Sequence, residues 1–340
     1  MTETPPADHS SSVTDSGAES LLSASDLGAA LGEVDRLLGP LAQRNAPLGS
    51  STTYRVGGNA ALLAQINSLE DLYQVAEAVA ATGIRALVVG RGSNLLVGDD
   101  GFHGLVVGLG PHFSDVTFDI DQAKPVVHVG AATPMPVLAR RCVREGLSGM
   151  EWAVGIPGSV GGAVRMNAGG HGRCVSDCLI TTQLLDLSAT SSQVMTRGVS
   201  ALDYGYRRSN IGSNKIVLTA DFALELDTEG RGQSTLDDIV RWRRANQPGG
   251  ANAGSVFANP PGDSAGRLIE AAGMKGHRHG HAVVSPKHAN FIQAEPGASA
   301  ADVAALIMMV RAVVAERLGV LLELEVQLVG FDGSNSLTLK

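Results

Sequence analysis

The sequence predicts a mixed α+β protein in which a large first block of alternating strands and helices is followed by a smaller block with its own helix-and-strand pattern. Three observations predict it. Short runs rich in Val, Leu and Ala alternate with stretches of helical periodicity, first over residues 60–145 and again over 265–329. A Gly, Pro and Asn stretch at 247–254 separates the two blocks as a linker would. Glycine is abundant, 42 of 340 residues, which implies many turns and surfaces lined by main chain.

In chain order, residues 1–24 are rich in Ser, Thr, Pro and Asp. They carry too little apolar area to offset chain entropy, so they are expected to be disordered. A short helix follows over 27–38, with Leu31, Val34 and Leu37 or Leu38 on one face. Residues 60–66 read as a strand. Ser68 and Asp71 form a capping box that opens a helix with Leu69, Leu72, Val75, Ala76 and Val79 in register, closed by Gly83. Residues 86–89, 105–107 and 126–129 read as strands, and 134–145 as a helix closed by Gly146. Longer strands are expected at 180–187 and 215–226. Thr235 and Asp238 are read as the cap of a helix that runs to Ala245. The last block holds a helix at 265–272, strands at 282–284 and 290–294, and a helix capped by Ser299 and Asp302. Residues 321–329 alternate at period two and read as a final strand.

Composition narrows the function. Hydrophobic residues make up 44% and charged residues 18%, as in a globular protein with a sizeable core. The net charge of −8, with no basic stripe to offset it, argues against a nucleic-acid surface. Aromatics are scarce at 4%, which leaves no stacking platform for bases. Three cysteines, Cys142, Cys174 and Cys178, suit a reducing compartment and lack the partners of a zinc site. The acidic, polar start has no secretory pattern, and no apolar run reaches membrane-spanning length. A cytoplasmic protein is expected.

The stretch from Met150 to Gly172 is the chemical centre of the chain. It holds seven glycines and little charge, which argues against both an ordinary helix and a strand interior. Glycines do allow main chain to approach a ligand closely, with N–H groups turned toward phosphate. The competing reading is a long surface loop. A second glycine turn, Gly90 to Asn94, follows a short apolar strand; it is not the dinucleotide fingerprint, because Leu95 stands where the third glycine belongs. A third lies at residues 54–58. Three such turns in one block point to a large ligand with a pyrophosphate, such as FAD, over three unrelated turns.

Other motifs are less decisive. Ser255 follows Gly254 in an apolar loop, but Ala253 and Phe257 rule out a nucleophile elbow, so a turn serine competes with a proton donor. Glu323 and Glu325 share one face of the final strand, and a solvated face is the default for them. Arg207 and Arg208 offer two guanidinium groups suited to carboxylate or phosphate, or a plain surface turn. His277, His279 and His281 are interrupted by Gly280 and lack a carboxylate neighbour, so a metal is not expected.

Taken together, the segments 52–60, 88–97, 155–169, 204–209, 253–276, 287–292 and 322–330 resemble the UDP-N-acetylenolpyruvoylglucosamine reductase (MurB) family. The resemblance implies an FAD-binding fold of the PCMH/vanillyl-alcohol-oxidase type in two subdomains over 25–230, then a substrate domain over 235–332 and a tail over 333–340. It implies that NADPH reduces FAD, which passes hydride to UDP-N-acetylglucosamine enolpyruvate to give UDP-N-acetylmuramate in peptidoglycan precursor synthesis. A monomer or weak dimer is expected, without nucleic acid or membrane span. Carried residue by residue, Arg207 would hold the substrate carboxylate, Glu325 would pair with it as an acid, and Ser255 would protonate the α-carbon. Tyr54, Arg55, Val56, Gly57, Gly90, Gly92, Ser93, Asn94, Leu95, Gly155, Ile156, Gly158, Ser159 and Gly162 would contact FAD. Tyr206, Asn259 and Lys275 would contact substrate.

Three positions depart from the family pattern. Asn246 and Gln247 stand where a basic residue is usual, Ala258 replaces Lys or Arg, and Leu324 replaces Pro. Lys287, Arg243 or Arg244 would then serve the UDP phosphates. The stretch between Arg207 and Ser255 is short, as in the branch lacking a tyrosine-bearing substrate loop, which implies an open site. The alternatives are another FAD oxidase of the same superfold and a catalytically silent nucleotide-sugar binder. The sequence has no motif for covalent flavin attachment, His103 lying beyond the phosphate loop, and the retention of Arg207, Ser255 and Glu325 together speaks against a silent binder.

Overall fold

A computed structural model describes residues 23–121, 124–189 and 193–331. Most of the tail expected at 1–24 and the tail at 333–340 lie outside the described residues. Ser23 and Ala24 do not belong to a tail: Ser23 caps the first helix, Ala24–Leu38, with its hydroxyl accepting from the Asp26 N–H.

The first sheet orders strands Ala42–Pro47, Asn59–Ile66, Phe102–Leu109 and Ala86–Val88. The last three run parallel, which requires a crossover, and the helix Leu69–Thr82 supplies it. The expected capping box at Ser68 and Asp71 is present, and Gly83 ends that helix in the left-handed conformation. Helices Ala24–Leu38 and Leu69–Thr82 cover this sheet; Val34, Leu38, Leu72 and Val75 are buried with Leu62, Ile66 and Leu105.

The second sheet is antiparallel, in the order Met195–Gly198, Leu179–Asp186, Lys215–Ala223, Val126–Gly130 and Val116–Asp119. The longer strand expected at 215–226 breaks at Leu224, and Glu225–Leu226 pairs instead with Leu147–Ser148. Its core takes in Met135, Leu138, Trp152, Val160, Val164 and Phe222.

The glycine-rich stretch does contain a helix, contrary to expectation: Val160–Arg165, with Gly161 and Gly162 inside it. Tertiary packing outweighs propensity here. Val160, Ala163 and Val164 are buried, and a Cβ on Gly161 would stand 3.0 Å from the Ala131 Cβ, so glycine eases the close approach of the helix to the sheet. Glycine also enters a strand pair, Gly169–Gly170 against Arg173–Cys174.

The helix Gly232–Asn246 starts three residues before Thr235. Asp227, which the sequence pattern did not single out, takes the role expected of Thr235. Its carboxylate accepts from the N–H groups of Arg231 (3.0 Å) and Gly232 (2.7 Å), while the Thr235 hydroxyl donates back to the Arg231 carbonyl. Leu236 and Ile239 of this helix join the core of the second sheet.

The last block stacks helices Ala265–Ala271 and Ala300–Leu318 on the antiparallel strands Arg278–His279, Ala282–Val284 and Ile292–Ala294. The Ser299–Asp302 capping box is present. Of the final strand expected at 321–329, only Gln327–Val329 is extended ladder, and it pairs in parallel with Leu95–Val97 of the first block. Upstream, Glu325 and Val326 both donate to the Val256 carbonyl, at 2.9 and 3.3 Å. Two residues opposite one break the alternation, as in a β-bulge. Among the described residues no helix is long and apolar enough to cross a membrane.

Candidate active site

The three glycine turns meet. The Thr53 N–H donates to the Gly92 carbonyl at 3.2 Å, and Arg91 Nε donates to the Pro157 carbonyl at 3.1 Å. A Cβ on Gly90 would stand 2.4 Å from the Ser159 hydroxyl, and one on Gly158 would stand 3.1 Å from the Ser93 hydroxyl. Gly57, at φ +103, leaves only 2.1 Å between a built Cβ and the Val97 carbonyl. At Gly57 main chain is therefore packed directly against main chain, while Gly90 and Gly158 leave room for the serine hydroxyls of the neighbouring turn.

Between the turns at 90–94 and 155–162 runs a cleft of about 250 Å³, or about 810 Å³ with the open space at its mouth. Val88, Val89, Leu109 and Val217 form apolar walls, and Arg91, Arg165 and Lys215 bring positive charge. Burial holds the Arg165 guanidinium below its ordinary pKa, so a nearby anion would stabilise its charge. Among the described residues, the N–H groups of Arg91, Gly92, Ser93 and Asn94 donate to no protein atom. The Val160 and Gly161 N–H groups, by contrast, are taken by the Thr133 and Ala131 carbonyls, so those two glycine-stretch amides are not open to a ligand. The buried Thr53 hydroxyl lacks a partner among the described residues. Free amides, an orphaned hydroxyl, cations and an apolar slot fit a ligand with phosphates and a flat ring system.

Arg207 sits at the tip of a tight turn closed by Gly205 and Arg208, at φ +56, where arginine is strained by about 1–2 kcal/mol. Hydrogen bonds hold the turn to the end of the helix Val160–Arg165. Tyr204 Oη donates to the Val164 carbonyl (2.8 Å), Ser209 Oγ to the Arg165 carbonyl (2.5 Å), and Arg207 Nη2 to the Gly169 carbonyl (2.7 Å). The first two donors reach carbonyls in the last turn of that helix, where intrahelical partners run out, and the third reaches the strand pair Gly169–Gly170 just beyond it.

Arg207 Nε also donates to Glu325 Oε1 at 3.1 Å, with 22% and 17% of the two side chains exposed. The final-strand carboxylates are thus not both solvated, as their shared face implied: Glu323 is exposed, but the bulge at Val256 turns Glu325 inward. Burial pushes the Glu325 carboxyl above its ordinary pKa; the Arg207 charge and hydrogen bond oppose this but are outweighed. Val256, whose carbonyl accepts from the Glu325 N–H, directly follows Ser255. Ser255 is half-buried, and among the described residues its hydroxyl has no protein partner.

Residues 246–329 match a family model described as "UDP-N-acetylenolpyruvoylglucosamine reductase, C-terminal domain", and residues 60–191 match one described as "FAD binding domain". A relative named UDP-N-acetylenolpyruvoylglucosamine reductase from Synechococcus sp. (strain RCC307) is 41% identical over 292 residues, 85% of this chain and 94% of the relative. One of the same name from Moorella thermoacetica is 40% identical over 306 residues, covering 90% and 99%. The crystal structure of UDP-N-acetylenolpyruvylglucosamine reductase (MurB) from Thermus caldophilus superposes with a TM-score of 0.71 at 36% identity, covering 84% of this chain and 97% of that one. The chain belongs to the UDP-N-acetylenolpyruvoylglucosamine reductase family. Its α+β, FAD-binding fold of the PCMH type is the one the sequence led us to expect.

The remaining residues carried over from the reductase family are more scattered. Gly155 lies under Arg243, whose Nη1 would be 3.4 Å from a Cβ there, and burial lowers the pKa of that guanidinium. The Tyr54 ring is fully buried in the core of the last block, and burial raises the pKa of its partnerless hydroxyl. Any ligand contact there falls to its main chain and to Arg55, Val56 and Gly57. Asn94 donates from Nδ2 to the Glu325 carbonyl (2.9 Å), while its own carbonyl accepts from the Gln327 N–H. Leu95 opens the parallel pair, Gly162 lines the cleft, and Ile156 packs against the core of the second sheet. Tyr206 is 55% exposed, its ring 4.8 Å from the Arg207 guanidinium. Asn259 accepts from the Ala265 N–H, and Lys275 pairs with Glu270 at 2.8 Å; neither is bonded to Arg207, Ser255 or Glu325. Lys287 donates to the Arg244 carbonyl.

Two residues of the reductase-family segments were not singled out from sequence. Buried Asn290 holds the segment after Ser255, accepting from the Phe257 N–H (3.0 Å) and donating to its carbonyl (2.8 Å). Buried Asn167 holds the Arg207 turn through the Gly205 carbonyl. The available signal was a polar amide inside an otherwise apolar run, which predicts a buried, bonded amide.

Proposed function

We propose that this chain is a flavoenzyme, UDP-N-acetylmuramate dehydrogenase, which reduces UDP-N-acetylglucosamine enolpyruvate to UDP-N-acetylmuramate with NADPH in peptidoglycan precursor synthesis. The observation that carries the reading is the Arg207–Glu325 pair beside the Ser255 segment, in a chain of this family. FAD, once reduced by NADPH, supplies the hydride that adds to the enolpyruvyl β-carbon.

The chain's own groups handle binding and the proton. Hydride addition leaves an enolate whose charge spreads onto the carboxylate, and Arg207 is the fixed cation that holds that charge. Glu325, inclined by burial to keep its proton, donates a hydrogen bond to the same oxygens. The Ser255 hydroxyl gives its proton to the α-carbon and recovers one from solvent, so hydride and proton together saturate the double bond.

We assign the main chain at 54–57, 90–95 and 155–162 to FAD, and Tyr206, Asn259 and Lys275 to the substrate. With Asn246 and Ala258 in place of basic residues, Arg243 and Lys287 are our candidates for the UDP phosphates. We put the boundary of the substrate domain after Asn246, because Leu236 and Ile239 pack with the second sheet. A cytoplasmic monomer or weak dimer completes the reading, since nucleotide substrate and NADPH are found there.

Visible absorption tests it. The purified protein should be yellow, bleach anaerobically with NADPH, and regain colour when the enolpyruvyl substrate is added. A colourless protein that binds no FAD, or a bleached one that the substrate leaves bleached, sinks the proposal.

A further inference from the structure

We infer that Asn167 is a positioning residue for Arg207, and this rests on the reading of Arg207 as the group that holds the substrate carboxylate. Asn167 is 6% exposed and sits at φ +42, a conformation asparagine tolerates better than most residues. Its amide is used at both ends. Oδ1 accepts from the Ser176 N–H at 3.0 Å, and Nδ2 donates to the Gly205 carbonyl at 3.0 Å. Gly205 is the base of the turn that carries Arg207, and its carbonyl also accepts from the Arg208 N–H. The Asn167 carbonyl takes a third, longer bond from Arg207 Nη1 at 3.4 Å. One residue thus ties the base of the turn and the guanidinium to the turn Val175–Asp177 that follows the hairpin Gly169–Cys174, and in that hairpin the Gly169 carbonyl receives Arg207 Nη2.

The chemistry follows from the geometry. Arg207 adopts a backbone conformation that costs it energy, and the turn stays so only while neighbours hold it. Without the Asn167 amide the Gly205 carbonyl loses its side-chain donor, and the guanidinium loses its fixed distance to Glu325. Binding and protonation of the enolpyruvyl group suffer. The main chain assigned to FAD at 54–57, 90–95 and 155–162 makes no bond to the Asn167 side chain, whose partners are Ser176 and Gly205, so flavin retention and its reduction by NADPH do not depend on it.

The test is stopped-flow measurement of the two half-reactions on holoenzyme, with Asn167→Ala, Asn167→Asp, Arg207→Met and the double variant Asn167→Ala/Arg207→Met. Asn167→Asp keeps the acceptor for Ser176 and loses the donor to Gly205. We expect flavin content and NADPH bleaching within about twofold of the parent for both Asn167 variants. We expect re-oxidation by the enolpyruvyl substrate to fall about 10- to 100-fold with a raised half-saturating concentration, because a displaced positioning group costs rates of this order. In the Arg207→Met background, Asn167→Ala should cost nothing further. Multiplicative losses in the double variant, equal losses in both half-reactions, or normal re-oxidation in both single Asn167 variants overturn the inference. If Arg207→Met itself re-oxidises normally, the underlying assignment of Arg207 fails instead, which the same data reveal.

Discussion

Arg207 Nε lies 3.1 Å from Glu325 Oε1 although 118 residues separate them in the chain. The pair is mostly buried, yet burial still dominates the carboxyl and raises its pKa. The folded protein therefore binds this proton more tightly than the unfolded chain does. The resulting stability is fully present below the ordinary carboxyl range and is lost as pH rises through the raised value. Glu325→Gln should match the parent near about pH 4 and surpass it near about pH 8. Urea midpoints at the two pH values check this; a parent that gains on the variant with rising pH reverses the argument.

Ser255→Ala removes a hydroxyl that no group among the described residues uses, so it should leave folding and NADPH bleaching intact. Re-oxidation by the enolpyruvyl substrate should slow by about 10²- to 10⁴-fold, the usual worth of a positioned proton donor. Parent-like re-oxidation would remove Ser255 from the mechanism.

Asn94→Ala deletes the 2.9 Å bond to the Glu325 carbonyl from a turn that also lines the cleft we propose for FAD. A loss of about 1 kcal/mol is expected, read as a few-fold slower re-oxidation together with weaker flavin retention on dilution. A variant that loses flavin but re-oxidises at the parent rate would show that the bond to Glu325 does not matter.

Two glycines with positive φ separate strain from crowding. Gly83→Ala has open space around the new Cβ and should lose about 1 kcal/mol. Gly57→Ala drives a Cβ to 2.1 Å from the Val97 carbonyl and should lose several-fold more, with flavin lost as well. Equal melting losses for the two would mean that the 52–58 turn relaxes freely.

Local pattern carried much of the fold. Helix starts with a Ser and an acid three residues on were legible at Ser68 and Ser299, because that cap is made within one segment. The same signature misled at Thr235, since Asp227, eight residues away, competes for the amides. The helix at Val160–Arg165 was hidden because its stability comes from the sheet beneath it. Strand Leu95–Val97 was hidden because its ladder partner lies beyond residue 326. At the site, Arg207, Ser255 and Glu325 stood out as candidates from their local motifs, but their joint roles came only through resemblance. What fixes them, the amides of Asn94, Asn167 and Asn290, is long-range hydrogen bonding that no single window of sequence displays.

The parallel pairing of Gln327–Val329 with Leu95–Val97 has a consequence for biosynthesis. The glycine turn at 90–94 continues into a strand whose neighbour is translated more than two hundred residues later. A nascent chain cannot close this ladder, nor bring in Glu325, until residues 325–329 have been made. Early-made turns must therefore wait with unpaired strand edges, a state prone to mispairing and to capture by chaperones.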